Sequence, residues 1–306
     1  MTSNSLSRRQ LLSAGLAASA AASGSLAGSA ATAAQIEQSR TPADFKIKNG
    51  RIRQSVMGWC FKPMPVPELI RHCAEIGLEA IEGIDPKFYP EAVKAGLKIS
   101  LVSSHGFAKG PANRENHAEC IAKLRQSIDT AVKYEAPSVI TFTGMSVAGM
   151  ARAVAEQNCL DCWKQVIGYA EEKGVTIVLE HLNSRDDSHP MKGHPGYFGD
   201  DVERCVDLVR RMDSPRFKLL FDVYHVQIMN GDVIRRIREF QPWIGHYHTA
   251  GNPGRKELDD TQEINYPAVM KAILATGYDL YVAQEFIPTW DDPVLALRHA
   301  AMVCDV

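Results

Sequence analysis

Two histidines one residue apart, His246 and His248, lie in the stretch IGHYHTAGNPGR, where an apolar lead-in and later glycines describe a buried strand running into a loop. Residues two apart on a strand point to the same side, so both imidazoles face one way. Three other apolar runs also finish in ionisable side chains. IVLEHLN supplies Glu180, LLFDVYH supplies Asp222 and His225, and YVAQEF supplies Glu285. One buried carboxylate is commonly a salt-bridge partner. Four ionisable groups at matching strand ends, three of them carboxylates, carry a heavy desolvation cost and ask for a shared counter-charge. A divalent cation neutralises three carboxylates and accepts one neutral imidazole, and this mixed oxygen and nitrogen shell suits Mn²⁺, Mg²⁺ or Co²⁺. His248, nearer the end of its strand, is the expected ligand. His246, one layer deeper, is the expected hydrogen-bonded support.

The elements that must position these residues follow from the hydrophobic rhythm. Beyond residue 50 eight short apolar runs (QSVMGWCF, EAIEGI, KISLVSSHG, SVITFTG, TIVLEHL, KLLFDVYH, IGHYHTAG and LYVAQEF) alternate with amphipathic stretches such as ENHAECIAKLRQSIDTAVKYEA and DDVERCVDLVRRM. Glycines at 77, 96, 174 and 277 stop helical patterns just before the next strand. Strict alternation implies parallel strands, and eight units in roughly 250 residues are what a single α/β (β/α)8 TIM barrel requires. A doubly wound open sheet would be expected to carry a glycine-rich phosphate turn after the first strand, and WCFKPMPVPE is not one. The barrel is expected over residues 51–306, preceded by an N-terminal extension at 35–50. Its active site would lie at the C-terminal strand ends. Glu82 and His105 end the second and third strands, either as substrate contacts or as structural hydrogen-bond partners. Trp59, Phe61 and Phe107 fall where a pocket wall or core packing is expected. The long loop NSRDDSHPMKGHPGYFGDD reads as solvated and able to cap the site, with His189 and His194 a weak signal for a second metal.

Composition bounds the remaining choices. The net charge of −2 and pI near 6.6 offer no basic footprint for nucleic acid. Past the N-terminus no apolar run reaches the roughly 20 residues of a membrane span, so no anchor is expected after signal cleavage. The first 34 residues carry Arg8 and Arg9, a stretch rich in Ala, Gly and Ser, and an A-x-A site at Ala31-Thr32-Ala33. This resembles a twin-arginine signal peptide, which implies a periplasmic or secreted protein exported already folded. Seven cysteines include the pair Cys159 and Cys162 on one helical face. Without a second such pair or a nearby histidine to complete a zinc set, packing is the preferred reading over a disulfide or a metal. Homo-oligomerisation is compatible with all of this.

The motifs FDVYHVQIMNGDV, IGHYHTAGNPGRKE, EINYPAV and AQEFIP, in this order, resemble the hydroxypyruvate isomerase family, within the xylose isomerase-like barrels that include the ketose 3-epimerases. The resemblance covers about residues 54 to 304. It implies that Glu180, Asp222, His248 and Glu285 ligate one divalent metal and that Glu180 and Glu285 form the acid/base pair. It also implies that His225 and Arg255 contact substrate oxygens, that Asn183 occupies a further polar pocket position, and that Glu257 partners Arg255. One position departs: the hydroxypyruvate isomerases carry glutamine where this chain has His248, and the epimerases carry histidine. The implied activity is isomerisation of a small carbohydrate or keto acid, by proton transfer through an enediolate between two glutamates. Epimerisation or dehydration of a keto-sugar on the same site is the alternative, and a non-catalytic exported sugar-binding protein is a third. The two candidate proton-transfer glutamates argue against mere binding.

Overall fold

The computed structural model describes residues 33–306; the expected signal sequence therefore lies almost wholly outside the described residues. Eight strands appear in order: β1 Arg53–Val56, β2 Ala80–Ile81, β3 Lys98–Ile99, β4 Ser138–Thr141, β5 Thr176–Glu180, β6 Phe217–Asp222, β7 Ile244–Thr249 and β8 Tyr281–Gln284. All their pairings are parallel. One curled sheet runs β1-β8-β7-β6-β5-β4, and β2 pairs with β3. The isolated bridges Met57–Glu82 and Val102–Val139 join the two pieces, closing a (β/α)8 barrel. Parallel order requires crossovers, which the intervening helices supply.

Several helix boundaries follow the chemistry of their ends. The helix Val66–Ile76 stops at Gly77, whose φ of 88° is left-handed, and Arg152–Lys173 stops in the same way at Gly174, φ 70°. Asp201 caps Val202–Met212 and Asp292 caps Pro293–Cys304 through their side-chain oxygens. The C-terminal helix also anchors the segment before β1. Thr41 Oγ1 meets His299 Nδ1 at 3.0 Å, and the Asp305 carboxylate accepts from the backbone of Lys48, Asn49 and Gly50.

The strands are shorter than the apolar runs. Chain beyond their ends becomes turns and helix starts, which is where the site is built. The run KLLFDVYH leaves the sheet at Asp222, so His225 sits in the first turn of the helix Val223–Met229 and not at a strand end as expected. The barrel lumen has an apolar part, where Leu101, Ile140, Val178 and Leu220 cluster. It also has a polar part, where Ser55, Glu82, Ser100 and His246 are fully buried. All seven cysteines are buried and unbridged, Cys159 and Cys162 among them. No described helix is long and apolar enough to cross a membrane.

Candidate active site

Each of the four strand-end candidates reaches the same point. Glu180 ends β5, Asp222 ends β6, His248 is the fifth residue of β7, and Glu285 follows β8 directly. One ligand-type atom from each lies within 4.8 Å of the others, and all four residues are buried. Asp222 Oδ1 caps the helix after β6, accepting from the backbone of Tyr224 at 2.8 Å and His225 at 3.2 Å. Its other oxygen is left free. Asp222 Oδ2, Glu180 Oε1, Glu285 Oε2 and His248 Nδ1 are all buried without a well-aligned hydrogen bond, although Arg255 and His248 Nδ1 make close ion-pair contacts with Glu285 Oε2. Buried polar atoms are rarely orphaned, and here three carboxylate oxygens and an imidazole nitrogen converge. That donor set fits a hard divalent cation.

The electrostatics match a site built for positive charge. Burial pushes the Glu180 carboxyl up to about 7, helped by the nearby Glu285 charge. Burial also raises Asp222, to about 6, against the pull of Arg255. Burial opposes ionisation of Glu285 as well, yet Arg255 and His248 hold it below the usual carboxylate range. The Arg255 guanidinium lies 2.7 Å from Glu285 Oε2 and 3.6 Å from Asp222 Oδ2. It sits over the rings of Trp59 at 5.4 Å and Tyr224 at 5.7 Å. A tight turn aims it: Gly251 and Lys256 pair across the turn, and Arg255 itself adopts a left-handed φ of 52°. Such backbone strain in a residue with a Cβ is concentrated at functional sites.

His225 is neutral by construction. Its Nδ1 accepts from the Asn183 backbone at 3.1 Å and also meets the Asn183 amide nitrogen at 2.7 Å. Burial and the Arg255 charge hold its pKa well below the ordinary value. Nε2 therefore carries the proton. It is buried without a partner, 3.5 Å from Asp222 Oδ2, as a donor beside the carboxylate cluster.

Three sequence expectations need correction. Asn183 does not present its side chain to a ligand. Its Nδ2 donates to Lys192 O, and its Oδ1 accepts from the backbone of Arg185 and Asp186, so it ties the loop after β5 to His225. Glu82 is not at the substrate cavity either: it is fully buried, with both oxygens taken by His246 and His248. Glu257 does not partner Arg255. It accepts from Thr289 and the Trp290 backbone and so anchors the chain after β8. Asn183 and Glu257 are consumed by backbone groups that would otherwise be unsatisfied, whereas Glu82 is consumed by two imidazoles.

A cavity of about 230 Å³ opens beside the cluster, touching Glu180, Glu285 and Arg255. His105 lines it, with Nε2 2.9 Å from Thr141 Oγ1. Trp59, Phe107 and Met191 supply apolar wall, whereas Phe61 packs on Phe286 in the core. The loop after β5 does cover the site, for Arg255 donates to Met191 O and the His194 ring lies 4.0 Å from Phe107. His194 is a cavity residue the sequence reading placed in solvent. Nothing local to its sequence signals the fold-back, which depends on Asn183 accepting from the His194 backbone at 2.8 Å. No metal-type cluster among the described residues includes His189 or His194.

The chain belongs to the xylose isomerase-like TIM barrel family, whose model matches residues 70–302. Among curated relatives it is 25% identical over 259 residues to the 2-oxo-tetronate isomerase of Pectobacterium atrosepticum, covering 78% of this chain and 96% of that one. It is 23% identical over 240 residues to the hydroxypyruvate isomerase of Escherichia coli, covering 72% and 90%. Its fold matches the crystal structure of an Escherichia coli 3-keto-D-glucoside 4-epimerase with a TM-score of 0.68 at 17% identity, over 83% of this chain and 98% of the other.

Proposed function

We propose that this chain is a divalent-metal-dependent isomerase of small 2-oxo acids or ketoses that works by proton transfer next to a carbonyl. The observation that carries the reading is the convergence of buried ligand-type atoms of Glu180, Asp222, His248 and Glu285 within 4.8 Å of one another, none with a well-aligned hydrogen bond, beside a small cavity. The relatives named for isomerising hydroxypyruvate and 2-oxo-tetronate support the reaction class. A bound Mn²⁺, Mg²⁺ or Co²⁺ would stabilise negative charge developing on the carbonyl and neighbouring hydroxyl oxygens.

The protein's own groups do the rest. Glu180 and Glu285 are the acid/base pair. Glu180 is the less tethered of the two, and its affinity for a proton near neutrality suits a general base. Glu285 is steadied by Arg255, which also offers donors to substrate oxygens. The His225 Nε2–H is a further donor for a substrate oxygen. Asp222 and His248 serve only to hold the cation. Trp59, Phe107, Met191 and His194 keep water from the reacting carbons.

Keto-sugar epimerisation is the second reading, favoured by histidine at 248 and by the fold likeness to an epimerase. The test is a panel of small keto acids, ketoses and keto-glycosides offered to protein reconstituted with Mn²⁺, Mg²⁺ or Co²⁺, with products read by NMR. Conversion that requires metal and moves a carbonyl supports isomerisation, and inversion at one carbon supports the second reading. No conversion of any class with any metal contradicts both.

We further propose that residues 1–34 direct twin-arginine export, so that the mature protein works in the periplasm or outside the cell. Replacing Arg8 and Arg9 by Lys is expected to keep the protein in the cytoplasmic fraction. Unchanged fractionation contradicts the proposal.

A further inference from the structure

Behind the four-residue cluster lies a buried network that the proposed reaction does not use. Glu82 Oε1 lies 2.8 Å from His248 Nε2, and Glu82 Oε2 lies 2.9 Å from His246 Nε2. Ser100 Oγ donates to Glu82 Oε2 at 2.6 Å, and Ser55 Oγ stands 2.6 Å from Ser100 Oγ. Glu82, His248, Ser55 and Ser100 have no solvent exposure, and His246 has 1%. Glu82 follows β2 and the histidines lie on β7, two strands that are not neighbours, so the link crosses the barrel lumen. The Glu82 backbone is fixed as well, its N–H donating to Val56 O at 2.9 Å and its carbonyl accepting from Gly58 N at 2.7 Å.

We infer that Glu82 is a positioning residue that decides which nitrogen of His248 faces the cation. The inference rests on the metal reading proposed above. A carboxylate can only accept, so His248 Nε2 must be the N–H donor toward Glu82. That leaves Nδ1, which lies 2.6 Å from Glu285 Oε2 and 3.4 Å from Glu180 Oε1, as the nitrogen available to a cation. The anionic acceptor also raises the basicity of the imidazole it anchors. Ser100 and His246 hold the carboxylate still, so the ring cannot rotate without breaking the network. His246 thus acts on His248 through Glu82, besides packing edge-on against its ring at a centroid distance of 5.1 Å. These three residues could also be grouped as a cation site of their own, since their ligand atoms lie within 4.8 Å of one another. The hydrogen bonds already occupying both Glu82 oxygens argue against that grouping.

The test is Co²⁺ titration of the metal-free full chain, followed by calorimetry and by the visible absorption of bound Co²⁺. The native chain should take one Co²⁺. Glu82→Gln keeps the volume of the side chain but removes its charge and opposes an amide N–H to one of the imidazoles. Its Co²⁺ affinity should fall about 10–100-fold with displaced absorption bands, while circular dichroism stays native. Glu82→Asp, which retains the charge, should recover much of the loss. If Glu82→Gln fails to fold, Ser100→Ala supplies the same test in weaker form, because it loosens Glu82 without discharging it. Native affinity and an unmoved spectrum in Glu82→Gln, or in Ser100→Ala when that variant stands in, would overturn the inference and leave the metal reading intact. A second Co²⁺ bound by the native chain and lost in Glu82→Gln would overturn it in favour of a metal site at Glu82. No Co²⁺ bound by the native chain would overturn both the inference and the metal reading.

Discussion

Glu285 and Glu180 share a cluster but not an environment. Arg255 lies against Glu285, whereas Glu180 has an oxygen that nothing donates to. Replacing either by Gln should leave a folded barrel and lower kcat by about 10³-fold or more, since acid–base catalysis alone contributes roughly 10²–10⁴. Steady-state kinetics beside a melting curve check this; a fully active Glu285→Gln variant contradicts the assignment. The pKa shifts also set a pH dependence for metal affinity. Glu180 is raised to about 7 and Asp222 to about 6, so both gain protons as pH falls below those values. A cation must displace those protons, and affinity should drop about tenfold for each pH unit and proton displaced between pH 7 and 5. Calorimetry in buffers of different ionisation enthalpy should report proton release at pH 6. A flat affinity across that range contradicts the account. At this scale the sequence revealed the four ligand candidates because costly groups recurred at matching strand ends. It did not reveal the roles of Glu82 and Glu257, which partners distant in sequence decide, nor that of Asn183, whose side chain is spent on the turn that follows it and on the His225 ring.

Two non-strand elements carry the site, and both depend on close backbone approach. A Cβ on Gly251 would lie 2.1 Å from Glu257 O, inside the turn that aims Arg255. Gly251→Ala should therefore cost about 1–3 kcal/mol and raise KM more than a distant surface change of equal destabilisation. Denaturant melts and kinetics on the same preparation decide it. The loop after β5 hangs on Asn183, which accepts from Arg185 and Asp186 and donates to Lys192 O. Asn183→Ala should free Met191 and His194 to move, raising KM at least tenfold with a smaller change in kcat, because buried partners lose their hydrogen bonds. An unchanged KM would contradict the capping role. Strand number, order and most helix boundaries were legible because apolar runs and glycine stops repeat along the chain. The strand ends were not, since β2 and β3 keep only two residues each and the chain turns into a helix directly after Asp222, which ends β6 and caps that helix.

For the whole molecule, the barrel places its buried charge at one end of the lumen and its apolar packing elsewhere. Glu180, Asp222 and Glu285 face that end with Arg255 as their buried guanidinium partner. Burying unneutralised carboxylates destabilises the fold, so a bound cation should stabilise it by mass action. Chelation is expected to lower the melting temperature by several degrees at pH 7.5, with recovery on adding Mn²⁺. A melting temperature indifferent to chelator would contradict this. The central claim, metal-assisted proton transfer between carbons, is tested most directly by solvent exchange. The metal-loaded chain and its Glu180→Gln variant are incubated in deuterated water with hydroxypyruvate and a panel of ketoses, and deuterium at the carbon next to the carbonyl is followed by NMR. The account predicts incorporation by the native chain above the rate without protein, lost with chelator and lost in Glu180→Gln. Conversion of a substrate without any solvent deuterium, or incorporation that survives both treatments, would contradict it.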